Sequence, residues 1–367
     1  MVNKIAIIGG GLTGCTMARL LGDEGFEIDL FEKNMVGGLC ADTKKEGIMY
    51  QRFGPHLFHT NNKAVWDFVN KFGKFNDYKL KVKANINNEL VELPVNINTL
   101  SSIFKAKLDS NSARQLISAL RIDFPHDIKN AEEDCLSRFG RIVYETIFEN
   151  YTFKQWKKHP SELDASITRR IPLRFNKDDR YFTDKYQGVP IKGFNRLFYE
   201  MLDLKNINVL SKDVKVDEEF KKDYDLIIYT GRIDEYFKYK HGKMDYRCTK
   251  FDFQIKKMQY FQECCIVTYP SPKFKITRVT EFKHATKQKI NNTIICRETP
   301  MEVNSSTPLY PLLNLRNKNL LTKYVKLVMK EDKVIFAGRL GTFKYLNMDQ
   351  SIEECMKILR GVVSSLK

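Results

Sequence analysis

The opening forty residues constrain this chain more tightly than any other stretch. Lys4–Ile8 is a short apolar run, Gly9-Gly10-Gly11-Leu12-Thr13-Gly14 follows, and a helical pattern continues through Leu21. Gly25 punctuates, Glu27–Phe31 reads as a second strand, and Glu32 closes it, 18 positions after Gly14. Strand, glycine turn, helix, strand and acid in this order predict a βαβ dinucleotide-binding unit. Gly9 permits the tight turn, Gly11 lets a pyrophosphate approach the backbone, and Gly14 lets helix and strand pack closely. The helix start at Leu12 and Thr13 turns free N–H groups toward phosphate. Glu32 is expected to accept from a ribose hydroxyl, which favours NAD or FAD.

Past the second strand comes Asn34-Met35-Val36-Gly37-Gly38. A second glycine pair here lets the chain pass close to a flavin, which a nicotinamide-only dehydrogenase does not need. FAD is therefore expected. Further on, residues 61–75 carry apolar side chains at helical spacing, and residues 78–99 alternate like strands until Pro94 and Asn96-Ile97-Asn98 break them. Apolar positions then recur at three and four from about 101 to 150, giving helices. Leu226–Tyr229 reads as a strand returning to the nucleotide sheet, 246–300 as antiparallel strands, Leu320–Met329 as a helix, Val334–Ala337 as a strand and Ile352–Leu359 as a helix.

The expected fold is α/β: a Rossmann-like FAD-binding domain with an inserted helical bundle and an antiparallel β-sheet domain. The first is assigned residues 1–77, 187–242 and 316–367, the helical domain 100–165, and the sheet domain 78–99, 166–186 and 243–315.

Charge narrows the partners. The 367 residues carry 61 Lys+Arg against 45 Asp+Glu, a balance of +16, but 43 of the positive residues are Lys spread along the whole chain. No block of five like charges and no nucleic-acid-binding signature occurs. Arginine behaves differently: Arg169, Arg170, Arg174 and Arg180 fall within twelve residues among aromatics. Guanidinium groups suit bidentate phosphate recognition, so an anionic small substrate is expected rather than nucleic acid.

The eight cysteines lack metal or disulfide spacing and read as buried or incidental thiols, which suits a reducing compartment. Of the six histidines only His56 and His59 lie close together, with no third ligand nearby in sequence, so no metal is expected. No run of about 18 apolar residues is available to span a membrane. The start, Met-Val-Asn-Lys-Ile-Ala-Ile-Ile, has no cleavage site after its apolar run. A cytoplasmic protein is expected.

Several segments, in order, carry a resemblance. Gly54-Pro55-His56-Leu57-Phe58-His59-Thr60, Tyr151-Thr152-Phe153-Lys154-Gln155-Trp156, Arg170-Ile171-Pro172 and Asp179-Arg180-Tyr181-Phe182 are four of them. Tyr186-Gln187-Gly188, Thr277-Arg278 before Glu281, Tyr310-Pro311 and Gly338-Arg339-Leu340-Gly341-Thr342 follow. Together with the flavin fingerprint, they resemble the UDP-galactopyranose mutase family over nearly the whole chain. The resemblance implies interconversion of UDP-galactopyranose and UDP-galactofuranose on reduced FAD, through a covalent adduct at flavin N5. It also implies an external reductant such as NAD(P)H and a homodimer.

It implies residue roles as well. Arg170 and Arg278 would clamp the diphosphate, with His56 and His59 near the flavin. Tyr151, Thr152, Trp156, Tyr181, Arg247, Tyr310 and Tyr345 would contact the nucleotide sugar. Cofactor contacts would come from Gly9, Gly11, Leu12, Thr13, Gly14, Glu32, Lys33, Gly38, Leu39, His56, Leu57, Arg339, Tyr345, Asn347 and Met348. Arg169, Arg174 and Arg180 are left as structural or electrostatic support.

Three positions depart from the family pattern. Phe153 stands where Glu is usual, Asn347 where an acid is common and Leu309 where a tyrosine is frequent; they bear on sugar preference. Two other functions fit parts of the chain: an FAD-dependent amine oxidase or desaturase, and a basic flavin-fold protein that binds RNA. The first would require a hydride-donor site with an apolar tunnel, the second a steep salt dependence of RNA affinity.

Overall fold

The computed structural model describes the backbone of residues 4–366 and the side chains of residues 4–364. Strand β1 (Lys4–Ile8) is almost entirely apolar because helices cover both faces of its sheet. It pairs in parallel with Leu226–Tyr229 on one side and with β2 (Glu27–Glu32) on the other. Val334–Phe336 and Ile207–Ser211 complete five parallel strands, in the order Val334–Phe336, Leu226–Tyr229, β1, β2, Ile207–Ser211. Helix α1 (Leu12–Asp23) and the last helix, Met348–Leu366, pack together on one face. Beneath them Ile5, Ile7, Leu21, Ile28, Leu30 and Phe198 form an apolar core. The opposite face is closed by Phe31, Ile227, Tyr229, Tyr246 and Phe336.

A second sheet has seven strands, in the order Tyr310–Pro311, Tyr246–Lys256, Thr293–Met301, Arg278–Glu281, Ile266–Thr268, Val82–Ile86, Glu89–Leu93. All pairings are antiparallel except one. Ile266–Thr268 lies parallel to Val82–Ile86, joining two chain segments about 180 residues apart. Local alternation cannot reveal such a seam, so a wholly antiparallel sheet was the natural expectation.

Helices Ile97–Phe104, Ser110–Leu120 and Ala131–Phe139 start where the sequence supplies caps. Asn96, Asp109 and Asn130 each accept a backbone N–H from the third residue of the helix that follows. These helices cover one face of the seven-stranded sheet, burying Ile117, Leu136 and Phe139 against Val82, Ala84 and Leu93.

Three helix ends differ from the expected ones, each for a local reason. Asn62 caps a shorter helix, Lys63–Asn70. Asn314 accepts from the Asn317 N–H and starts its helix at Leu315 instead of Leu320. The last helix begins at Met348, where polar first-turn residues hide its periodicity.

Candidate cofactor and substrate site

The glycine turn after β1 divides its labour. Gly9 is at φ +101°, and its N–H donates to the Phe31 carbonyl across 2.8 Å. A Cβ at Gly14 would fall 1.8 Å from the Gly9 carbonyl oxygen, so this glycine serves helix-on-strand packing. A Cβ at Gly11 would meet nothing within 4 Å and would project into open space. Gly11 also starts α1 without a side-chain cap, leaving first-turn N–H groups for an external anion. The second glycine pair backs this turn: Gly37 N–H donates to the Gly10 carbonyl at 2.7 Å. A Cβ on Gly38 would press on Gly11 Cα at 3.1 Å.

A cleft of about 1030 Å³ runs over this turn, at the carboxyl ends of the parallel strands. Among the predicted cofactor residues, Gly9, Gly11, Leu12, Thr13, Glu32, Lys33, Gly38, Leu39, His56, Arg339 and Met348 line it. Gly14 lies beneath the turn. Leu57 lines a small separate cavity of about 20 Å³ instead. Asn347 offers its carbonyl to the Ser351 N–H and hydroxyl, both at 3.0 Å, which steadies the start of the last helix. Glu32 is already engaged, accepting from Gly10 N–H at 2.8 Å and Asn34 N–H at 2.7 Å. A carboxylate has about four lone-pair sites, so capacity remains for a ribose hydroxyl.

Sequence reasoning did not assign Lys212–Val216, Thr230 or Gly231 to the site, although they also line the cleft. Their signal was available, since they directly follow the strands Ile207–Ser211 and Leu226–Tyr229. Loops at such strand ends are where doubly wound sheets bind ligands.

At the far end of the cleft, Arg339 leads into a cationic aromatic cluster. Its guanidinium carbon lies 4.6 Å from the Tyr310 ring centre and 5.7 Å from that of Tyr345. Its Nη1 and Nη2 donate to the carbonyls of Leu309 (3.1 Å) and Leu346 (2.6 Å). Tyr310 and Tyr345 stack at 5.2 Å. Arg170 donates from Nη1 to the Tyr345 phenol, and Arg247 lies 5.7 Å from the Trp156 ring and 5.5 Å from Tyr310. Arg247 is buried, and its Nε has no partner among the described residues. An unpaired buried donor of this kind is an expensive feature in a fold and favours an acidic ligand.

Arg278 is held from the next strand. Its Nε donates to Glu298 Oε1 at 2.7 Å, and Glu298 is only 1% exposed. Burial opposes the Arg278 charge, but Glu298, with Tyr151 and Tyr310, outweighs it and keeps the guanidinium firmly protonated. Bonding at Nε leaves both Nη groups as a fork. Gly54 makes this packing possible: it sits at φ +83°, and a Cβ there would meet Phe251, Glu298 and Arg278 Nη2 within 3.1–3.4 Å. Glu298 was not foreseen, because its pairing depends on the register Arg278↔Glu298 between two strands.

Tyr151 has both Arg278 and Arg247 in its field, while burial raises its phenol above the ordinary value. Tyr181 lies within the field of Arg170, and Thr152 is buried on the same helix as Tyr151 and Trp156.

The two histidines separate. His56 lines the cleft; burial first, then Arg339 and Arg278, push its pKa down to about 4. Its Nδ1 lies 3.1 Å from the Gly54 carbonyl, which can only accept, so Nδ1 carries the proton and Nε2 is the acceptor. His59 does not line the cleft. Its Nδ1 meets Asp184 at 3.0 Å and its ring stacks on Phe182 at 3.7 Å, so local partners hold it outside the cleft wall. Arg174 is buried and donates to the carbonyls of Asp178 and Arg180. Arg180 pairs with Asp178, and Arg169 approaches Asp134.

Comparison with known proteins bears on this arrangement. The family model described as UDP-galactopyranose mutase matches residues 146–345, and that of an NAD(P)-binding Rossmann-like domain matches residues 7–72. The chain is similar to a probable UDP-galactopyranose mutase of Klebsiella pneumoniae, with 34% identity covering 100% of this chain and 96% of that protein. It is also similar to a dTDP-fucopyranose mutase of Escherichia coli, with 35% identity covering 97% of each. A crystal structure of reduced UDP-galactopyranose mutase has the same fold, with a TM-score of 0.79, 18% identity and coverage of 99% of this chain and 94% of that one. On the family match and these full-length similarities, the chain belongs to the UDP-galactopyranose mutase family of isomerases.

Proposed function

We propose that the enzyme interconverts UDP-galactopyranose and UDP-galactofuranose, or a closely related nucleotide sugar, with reduced FAD held in the cleft. One observation carries this reading: Arg339 belongs to both halves of the site. It lines the dinucleotide cleft and also faces Tyr310 and Tyr345 in the arginine cluster. A flavin lying along the glycine turn and a diphosphate among the arginines would therefore meet at Arg339 and His56.

The residues fit FAD. The uncapped start of α1 and the open face of Gly11 suit a pyrophosphate, and Glu32 suits an unphosphorylated ribose. Bound and reduced, a flavin would supply a nucleophilic N5 for the anomeric carbon. Arg170, Arg278 and Arg247 would hold the diphosphate and stabilise the charge that grows as the glycosidic C–O bond breaks. Trp156 and Tyr151 offer flat faces that orient the nucleotide sugar. His56, kept neutral with its Nδ1 proton on the Gly54 carbonyl, presents Nε2 as an acceptor without adding charge beside Arg339.

An amine-oxidase reading is not favoured, since it calls for an apolar tunnel where four guanidinium groups stand. The proposal includes an external reductant such as NAD(P)H, a homodimer and a cytoplasmic site. Among the described residues, no helix is long and apolar enough to cross a membrane. The deciding experiment is to incubate dithionite-reduced protein with UDP-galactofuranose, and separately with dTDP-fucofuranose, and to chromatograph the products. Conversion of either to its pyranose supports the proposal and identifies the sugar; conversion of neither refutes it.

A further inference from the structure

Lys154 lies on the helix Asn150–Trp156, three residues after Tyr151 and so on the same side of the helix. Its ammonium reaches the carbonyl oxygens of Tyr269, Ser271 (2.8 Å), Phe274 (3.1 Å) and Ile276 (3.2 Å). Among the described residues no carboxylate pairs with it; its acceptors are all main-chain. Three N–H donors are shared among four carbonyls of one surface connection, which links strands Ile266–Thr268 and Arg278–Glu281. That connection is closed by the Tyr269 N–H donating to the Thr277 carbonyl at 2.8 Å. Thr277 in turn gives its N–H and hydroxyl to the Glu298 carbonyl, at 2.9 and 3.3 Å, just before Arg278 begins its strand.

We infer that Lys154 is a positioning residue. Its ammonium clamps the 269–277 connection onto the helix that carries Tyr151 and Trp156, and so fixes their spacing from Arg278. For turnover this rests on the function proposed above. Pro272, Lys273 and Lys275 in the connection are exposed, so carbonyls released from the clamp can bond water instead. Losing the ammonium should therefore loosen the site without unfolding the protein.

The test compares flavin-loaded parent, K154M and K154C proteins. In K154M, kcat/KM should fall by about 10- to 100-fold, mostly through KM, because small misplacements of binding groups are costly. UDP affinity should weaken in parallel, and amide exchange across 269–277 should accelerate. Flavin content and melting temperature should stay close to those of the parent. The eight native cysteines are buried, so the introduced thiol of K154C is the accessible one. Treatment with 2-bromoethylamine, which rebuilds a lysine-length ammonium, should restore most of the lost affinity. Iodoacetamide, which adds a neutral amide, should not.

Unchanged kinetics and exchange in K154M would overturn the inference. So would equal rescue by both reagents, which would make the role one of filling space. Loss of flavin with a collapsed melting temperature would mark a general fold residue instead. If the parent itself turned over no nucleotide sugar, the functional reading would fail, while exchange across 269–277 would still decide the clamp.

Discussion

Arg170 donates from Nη1 to the phenolic oxygen of Tyr345 across 2.7 Å, joining residues 175 positions apart. Burial pushes the Tyr345 phenol up, but Arg170, Arg339 and Arg247 outweigh it and hold it below its ordinary value. On the proposed function the pair would serve as a preformed anion-binding edge, the phenol orienting the guanidinium and the guanidinium polarising the phenol.

Removing that phenol should weaken catalysis through Arg170. Y345F is expected to lower kcat/KM by about 10-fold, and R170A by about 30- to 1000-fold. In a double-mutant cycle the two losses should fall short of additive, because both remove one unit. Fully additive losses would show that the two side chains act separately.

Arg278 and Arg174 should behave differently although both are arginines near the site. R278A should cost about 2–4 kcal/mol at the transition state, and R278K should recover only part, since a point charge lacks the bidentate fork. Arg174 is buried and its Nη1 donates to the carbonyls of Asp178 and Arg180, so R174A should mainly lower the melting temperature. A larger loss of kcat/KM in R174A than in R278A would contradict this assignment.

Two glycines of one motif should also fail in opposite ways. G11V should fold normally but lose flavin, because its side chain enters the open cradle. G14A should lose stability first, since its Cβ collides with the Gly9 carbonyl. The flavin absorbance ratio and apoprotein melting temperature check both, and full flavin occupancy in G11V would contradict the cofactor placement.

His56 makes stability depend on pH. Its folded pKa of about 4 lies below the ordinary 6.5, so between those values the unfolded chain takes up a proton that the folded one refuses. The contribution is present above 6.5 and lost as pH falls through 4, for a total of about 3 kcal/mol. Urea unfolding at pH 7 and pH 4.5 should show a larger loss for the parent than for H56Q. Equal losses would mean that His56 titrates normally.

How much was legible follows from what each feature depends on. The β1–α1–β2 unit and the cleft-lining role of Gly11 were readable because spacing alone determines them. Helix starts at Asn62 and Asn314 turned on a single capping side chain, and the parallel seam between Ile266–Thr268 and Val82–Ile86 on a distant pairing. Arg170, Arg278 and Lys154 stand in motifs that the sequence displays, but the contacts of Glu298 and Lys154 are not legible there. Their partners come from strand register and from a loop more than a hundred residues away.

The most direct measurement is turnover under strict anaerobiosis by oxidised and by dithionite-reduced enzyme, with the same nucleotide sugar at the same concentration. Only the reduced flavin has at N5 a lone pair able to attack an anomeric carbon, and the arginine cluster can assist only if that attack occurs. The account predicts ring interconversion in the reduced sample and essentially none in the oxidised one; equal rates in the two would contradict it.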